Sequence, residues 1–529
     1  MKLRTYISAL ALACVTLNAT GQEKDYGTLS GSLESNTIYY RNDSTINAIA
    51  PKDKIGSNNY LKLDYRYGAF SAGLQYEAYL PPLVGYSTSL EGNEVVHRYA
   101  SYNSDFLSFT VGNFYEQFGS GLIFRAYEER SLGVNNSLDG VSIKVKPTEY
   151  LQIKALWGKQ RKDLTVGKSN IRGADAEFSI SQLLLPESPV NISLGGSWVR
   201  KYQDYTGPIA DYPTSIDAFA GRAQIDYAAY SIYGEYVHKK ADPEFINKYS
   251  YNKGKAILIQ QSLTLKGLGL GLNLRRLENI DFRSDRDERG SANTLNYLPA
   301  LTRQHKYQLA SLHPYSTQAA SEIGGQVDLF YSFKKGSAIG GATGLKVSAN
   351  ASVYYNLARN SNGTYKMLGI GDTLLFQDLN IEIEKKLSSK IRLSVSYINQ
   401  QYNKGVITGD GKGMVKTHIA VADVLYKFSP TTSLRTEISE LWGVKGEDDW
   451  TQLLAELSFA PKWSIFASDL VQHRENKVHY YNTGLSYTYS TTKISASFGR
   501  NKEGLQCVGG MCRYVPAYSG FSLSVVSSF

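Results

Sequence analysis

Chemistry in this chain would have to come from a short set of side chains. The seven histidines are His97, His238, His305, His313, His418, His473 and His479. They are scattered, and none stands beside a Ser, Asp or Glu in a recognisable motif, as a base-activated nucleophile requires. No HExxH zinc motif occurs. Gly267-Leu-Gly269-Leu-Gly271 is not a phosphate loop, because it alternates within a strand and no helix follows. Between 281 and 289, Asp281, Asp285, Asp287 and Glu288 are spaced as calcium ligands could be. Arg283, Arg286 and Arg289 are interleaved with them and neutralise them, so a salt-bridged or solvated loop is the simpler reading. Cys507 and Cys512 bracket Val-Gly-Gly-Met and suit a small disulfide clip at a hairpin tip. No further His or Cys lies close enough to make that pair a metal site. An enzyme, a resident metal and a cofactor are therefore not expected. The remaining charges of interest are Glu116, Arg125, Glu128, Glu129 and Arg130, which sit among aromatics in one long insertion.

The elements that must position these residues are strands. Leu61, Leu63, Tyr65 and Tyr67 alternate with Lys62, Asp64 and Arg66. Val141, Ile143 and Val145 alternate with Ser142, Lys144 and Lys146. Leu268, Leu270, Leu272 and Leu274 alternate with small or polar residues, as do Ile391, Leu393, Val395 and Tyr397. Such period-two patterning marks strands with one apolar and one polar face. It persists through the chain with no helical stretch and no domain linker, which favours a membrane barrel over a soluble sandwich. Short turn signals fall at 67–69, 103–105, 146–149, 185–190, 227–230, 266–267, 334–343, 387–390, 429–432, 460–462 and 490–492. Eleven turns imply twelve hairpins, hence about 24 antiparallel up-and-down strands. Longer loops alternate with these turns, the turns facing the periplasm and the loops facing outward. Residues 280–320 are expected to be a long extracellular loop.

Composition agrees. The 529 residues include 40 Tyr and 47 Gly but only 14 Pro and 3 Cys. Tyr suits a membrane–water boundary, and the mean hydropathy of −0.30 excludes a bundle of membrane helices. Residues 1–21 read as a signal peptide: Lys2 and Arg4, an apolar stretch from Tyr6 to Leu17, then small residues, with cleavage after Gly21. The formal charge of +9 becomes +7 without Lys2 and Arg4. Lys and Arg are spread singly and balanced by nearby acids, so nucleic acid is not an expected partner. Residues 22–529 form the barrel, and Phe529, an aromatic ending an alternating strand, resembles the signal read by the outer-membrane insertion machinery. The expected surroundings are outer-membrane lipid and, during assembly, that machinery.

A barrel this wide needs its lumen narrowed, since diameter grows with strand number. Gly112–Gly140, GNFYEQFGSGLIFRAYEERSLGVNNSLDG, is too apolar for a solvated loop. Folded inward from its place after the fifth strand, it would bury aromatics on the wall and set its charges at a constriction. This stretch, the long barrel and the terminal Phe together resemble a family of uncharacterised outer-membrane β-barrel proteins of Bacteroidota-type bacteria. That resemblance implies a location and a fold, and no activity or substrate. The leading expectation is a porin-like channel or transporter for small solutes. The alternatives are a scaffold with a loop-plugged lumen docked to an envelope protein, and a surface adhesin or receptor.

Overall fold

The computed structural model describes residues 26–529 apart from 210, 290–291, 410–412, 475–476 and 509–510. The expected signal peptide lies outside the described residues. The described residues form a closed antiparallel β-barrel of 24 strands. Each barrel strand pairs with its neighbours in sequence, and the circle closes where the first strand, Thr28–Arg41, pairs with the last, Tyr518–Ser528. At that seam the Gly31 and Phe529 backbones exchange hydrogen bonds of 2.8 and 3.0 Å. The Phe529 ring covers Gly31 so closely that a Cβ there would come within 2.5 Å of it. Closure leaves no open sheet edge, which is what lets strands occupy a membrane.

All eleven turn signals fall between paired strands. The local reasons are visible: Gly68 and Gly267 adopt φ of +56° and +83° at tight turns, a region that glycine enters without a Cβ penalty. The outward row is apolar and evenly accessible. Ile143 is 40% exposed, Leu270 42%, Ile381 42%, Val395 45% and Leu485 46%. Uniform half-exposure of large apolar side chains on many strands is the surface of a protein solvated by lipid, not a core between two sheets. From 24 strands about 4.8 Å apart and tilted about 40°, the cylinder is roughly 50 Å across at the backbone.

Two features depart from the sequence reading. The 280–320 segment is not an outward loop: Ile280, Phe282, Leu295, Tyr307, Leu309 and Tyr315 are all buried against inward-facing strand residues. Its apolar side chains decide this, whereas its charges suggested a solvated loop. Nor is the lumen charged throughout. Leu156, Ile171, Val199, Val237, Leu258 and Leu277 point inward and are buried, giving one side of the interior an apolar lining that must be covered.

Candidate functional site: a loop plug and the space beside it

The cover is built from loops. In residues 115–137, the short pairs Gln117–Phe118 with Phe124–Arg125, and Glu128–Glu129 with Val134–Asn135, fold the chain on itself. Phe118 and Phe124 are fully buried, with ring centroids 5.4 Å apart. They pack with Leu122, Ile123 and the apolar inward row. Gly173 makes room on the wall, since a Cβ there would lie 2.7 Å from the Phe118 ring. The 279–320 segment completes the same cluster with Ile280, Phe282 and Leu295. It then crosses the lumen, seating Tyr307, Leu309 and Ala310 on Ile398, Ile419, Val421, Leu441 and Trp450.

The two segments are tied together. Arg125 N–H donates to Leu295 O at 2.8 Å, Tyr297 N–H to Gly121 O at 2.9 Å, and Asn136 Nδ2 to Thr294 O at 3.1 Å. The Arg125 guanidinium lies 4.0 Å from the Tyr297 ring centroid, a cation–π contact. Wall anchors are charged. Arg275 pairs with Glu322 at 2.6 Å, both buried, and also donates to Pro299 O and to Thr317 Oγ1. His305 Nε2 lies 2.7 Å from Asp378. Arg303 and Lys306 share Glu382.

The five residues expected at a constriction have separate fates. Glu116 accepts from Lys154 of the wall at 2.8 Å. Arg125 is held between Tyr127 and Tyr297. Glu129 accepts from the Ser131 N–H and hydroxyl, capping the turn that follows. Glu128 and Arg130 do come together: Glu128 accepts from Gln75 at 2.7 Å, and Arg130 pairs with Glu34 at 2.9 Å and Glu128 at 3.3 Å while covering the Tyr60 ring. The structure therefore uses these charges mainly to hold the plug, and of the five Arg130 is the one that lines the cavity beside it. Cys507 and Cys512 are joined as a disulfide across the hairpin Gly504–Val508 and Met511–Val515. That hairpin docks on the plug through Arg513, 3.8 Å above the Tyr86 ring and bonded to Ser131 O, and through Met511, which accepts from Tyr127.

Buried ionic anchors were invisible in the sequence. Arg161 and Glu77 form a bidentate pair at 2.7 and 2.8 Å across 84 positions. Lys201 bonds Asp242 and Glu244 at 2.7 Å, fixing the 240–253 loop. No local signal announces such long-range pairs. No group of three or more metal-ligating side chains is found among the described residues.

Beside the plug, space remains. A cavity of about 740 Å³ lies against the strands from 449 to 528 and 28 to 41. It reaches from Arg435, Glu456, Ser464 and Lys493 near the short-turn end to Tyr86 and Arg513 under the hairpin. A second space of about 610 Å³, lined by His305, Asp378, Gln400, Lys502 and Glu503, shares Gln506, Val515 and Tyr518 with the first. The disulfide hairpin thus stands over both. Burial pushes the Lys502 ammonium below its ordinary range.

The chain belongs to the family of unknown function DUF6029. The match runs over residues 1–529. No curated protein matches. Among solved structures, the P pilus usher (PapC) translocation pore aligns with a TM-score of 0.46 at 10% identity, over 95% of this chain and 99% of that one. The siderophore receptor PirA from Pseudomonas aeruginosa gives 0.40 at 10% identity, covering 96% and 82%. The outer membrane transporter YddB from Escherichia coli gives 0.39 at 9%, covering 94% and 81%. These are similarities of barrel architecture alone.

Proposed function

We propose that the protein is an outer-membrane barrel that passes small polar solutes along a narrow path between its loop plug and one wall. The observation that carries this is the 740 Å³ cavity, bounded by wall residues from near the short-turn end up to the disulfide hairpin. Its lining is mixed: Ser464, Ser486, Ser495, Ser497, Ser522 and Ser524, with Glu34 and Arg130, stand among Ile38, Leu454, Phe466 and Tyr518. Space of this size with six hydroxyls and a charged pair to bind water is wet, and water-filled space in a barrel is a route for solutes that the plug's dry side is not. The hairpin over the cavity makes this a gated route. The test is conductance of the purified protein in planar bilayers: discrete steps are expected, and silence at every voltage would overturn the reading.

A second reading, a scaffold whose lumen is closed by its own loops, is favoured by the tightness of the plug's anchors. Gentle detergent extraction followed by native mass measurement separates the two, because a scaffold should leave the membrane with a second protein bound. Export by a cleaved signal peptide, with the loop end facing outside, completes the proposal.

A further inference from the structure

Strand polarity lets the outward surface be read by height. On the strands from Leu151 to Leu265, the outward row ends in aromatics toward the long-loop end: Trp157 is 48% exposed, Phe219 46% and Tyr236 42%. Aromatics at that position mark the boundary between hydrocarbon and headgroups. The next outward positions are Lys159 beyond Trp157, Asp217 beyond Phe219 and His238 beyond Tyr236, and basic residues recur around them. Lys159 follows Trp157, Arg200 follows Trp198, and Lys240 continues the row beyond Tyr236. Arg172, Lys255 and Lys253 occupy the same height on the neighbouring strands or just beyond their ends.

The arc is under-neutralised. Among the described outward residues the carboxylates at this level are already used: Asp139, across from Lys159, pairs with Arg98 at 3.6 Å, Glu278, across from Lys255, pairs with Arg276 at 2.6 Å, and the most heavily used is Asp217. It accepts from Arg200 at 2.7 and 3.0 Å, from Lys240 at 2.7 Å and from the Trp198 indole at 3.0 Å. Arg172 stands directly across from Arg200 in the strand register, and like charges directly opposite one another on one face are destabilising. The far side of the barrel is different. There, outward charges near the same end are matched: Asp469 with His479 at 2.7 Å and Arg500 with Asp43 at 2.6 Å.

We infer that this basic arc, from Lys159 round to Lys255, is a docking surface for phosphate-bearing lipid headgroups of the outer leaflet. The inference rests on the outer-membrane reading above. Guanidinium and ammonium groups just beyond an aromatic girdle meet headgroup phosphates while their stems stay against the apolar wall. A phosphate placed between Arg172 and Arg200 turns a repulsive pair into a chelate.

The experiment is lipid titration of the full-length, delipidated protein in neutral detergent, read by native mass spectrometry. The probes are a diphosphorylated glycolipid, the same glycolipid without phosphates, phosphatidylglycerol and phosphatidylcholine. Retention of phosphate-bearing lipid over its phosphate-free and zwitterionic counterparts is expected. R172Q/R200Q/K255Q should weaken it about 100-fold, at roughly fivefold per basic residue. R172K/R200K keeps the charge and should retain binding, and heat-modifiable gel mobility verifies that each variant is folded. Equal binding of all four lipids, or full competition by inorganic phosphate, overturns the inference. Failure of the wild-type protein to enter phosphatidylcholine bilayers at all would instead overturn the membrane reading.

Discussion

Phe118→Ala tests the plug most directly. Phe118 is fully buried, touches Phe124 and fills the space that Gly173 leaves in the wall. Truncating a buried Phe costs about 3–5 kcal/mol, from lost transfer energy and the cavity left behind. Here the loss falls on a segment held by side-chain packing and a few backbone bonds, whereas the strands around it form a closed hydrogen-bonded circle. The plug should therefore open before the barrel does. At about 1.4 kcal/mol per decade, amide exchange across 115–137 should speed up by roughly a hundredfold to a few thousandfold. Exchange in Val190–Tyr202 should stay unchanged. Hydrogen-exchange mass spectrometry in detergent reads both. Gly173→Ala, which drives a methyl into the ring from the wall side, should accelerate the same peptides. If exchange in 115–137 moves less than about threefold, or if the strands loosen with it, the plug is not an independently docked body and the argument fails.

Other outcomes follow from the same contacts. Arg275→Met strands the buried Glu322 carboxylate and frees Pro299 and Thr317; a loss of about 3–5 kcal/mol is expected, with much of it recovered in the double change Arg275→Met/Glu322→Met. Thermal unfolding of the four forms as a cycle measures this, and an unrescued double variant contradicts it. Cys507→Ser/Cys512→Ser releases a clip across five positions, worth about 2 kcal/mol in the chain-entropy picture. Exchange at Gly504–Val515 should rise up to about 30-fold and channel current should flicker more; identical traces with and without reductant would count against a gating hairpin. Glu447, in the 446–448 loop, feels burial, which opposes its charge. His313 3.1 Å away, the Trp450 indole and the Asp448 N–H outweigh burial and hold its carboxyl at about 2. Because that lies below the ordinary 4.5, its stabilisation is whole above about pH 4.5 and is lost as pH falls toward 2. Exchange near 446–450 should rise across that acid range and be flat in Glu447→Gln; a flat wild-type profile sinks the assignment.

The barrel was legible in the sequence because its determinants are local. Alternation such as Leu61 to Tyr67 needs only neighbours to be read, and so does a turn like Lys266–Gly267. The Cys507–Cys512 clip was legible for the same reason. What the plug covers was not, because burial of an inward residue depends on a segment far away in sequence. Arg161 finds Glu77 across 84 positions and Asn136 finds Thr294 across 158. Nor could the roles of Glu116, Arg125, Glu128, Glu129 and Arg130 be assigned from their order, since Lys154, Tyr297, Gln75 and Glu34 decide them. One signal was present. At Ala256-Ile257-Leu258-Ile259 the alternation fails because both faces are apolar, and Ala256 and Leu258 lie buried under the plug.

That failure of alternation explains why the plug lies to one side. Inward Leu156, Ile171, Val199, Val237, Leu258 and Leu277 would each face water in an open lumen, and apolar surface left wet costs about 25 cal/mol per Å². The opposite wall presents Ser464, Ser495, Ser497, Ser522 and Ser524, whose hydroxyls are satisfied by water and gain little from a dry cover. A loop with an apolar face is therefore drawn to the apolar patches and gains little on the serine-lined stretch. The staves themselves carry apolar patches, the large one above and the smaller one of Ile398, Ile419, Leu441 and Trp450, and the loops cover these and leave the hydroxyl-bearing stretch between 464 and 524 open. The proposed solute path follows the same logic: it would run where the wall carries hydroxyls and no loop covers it.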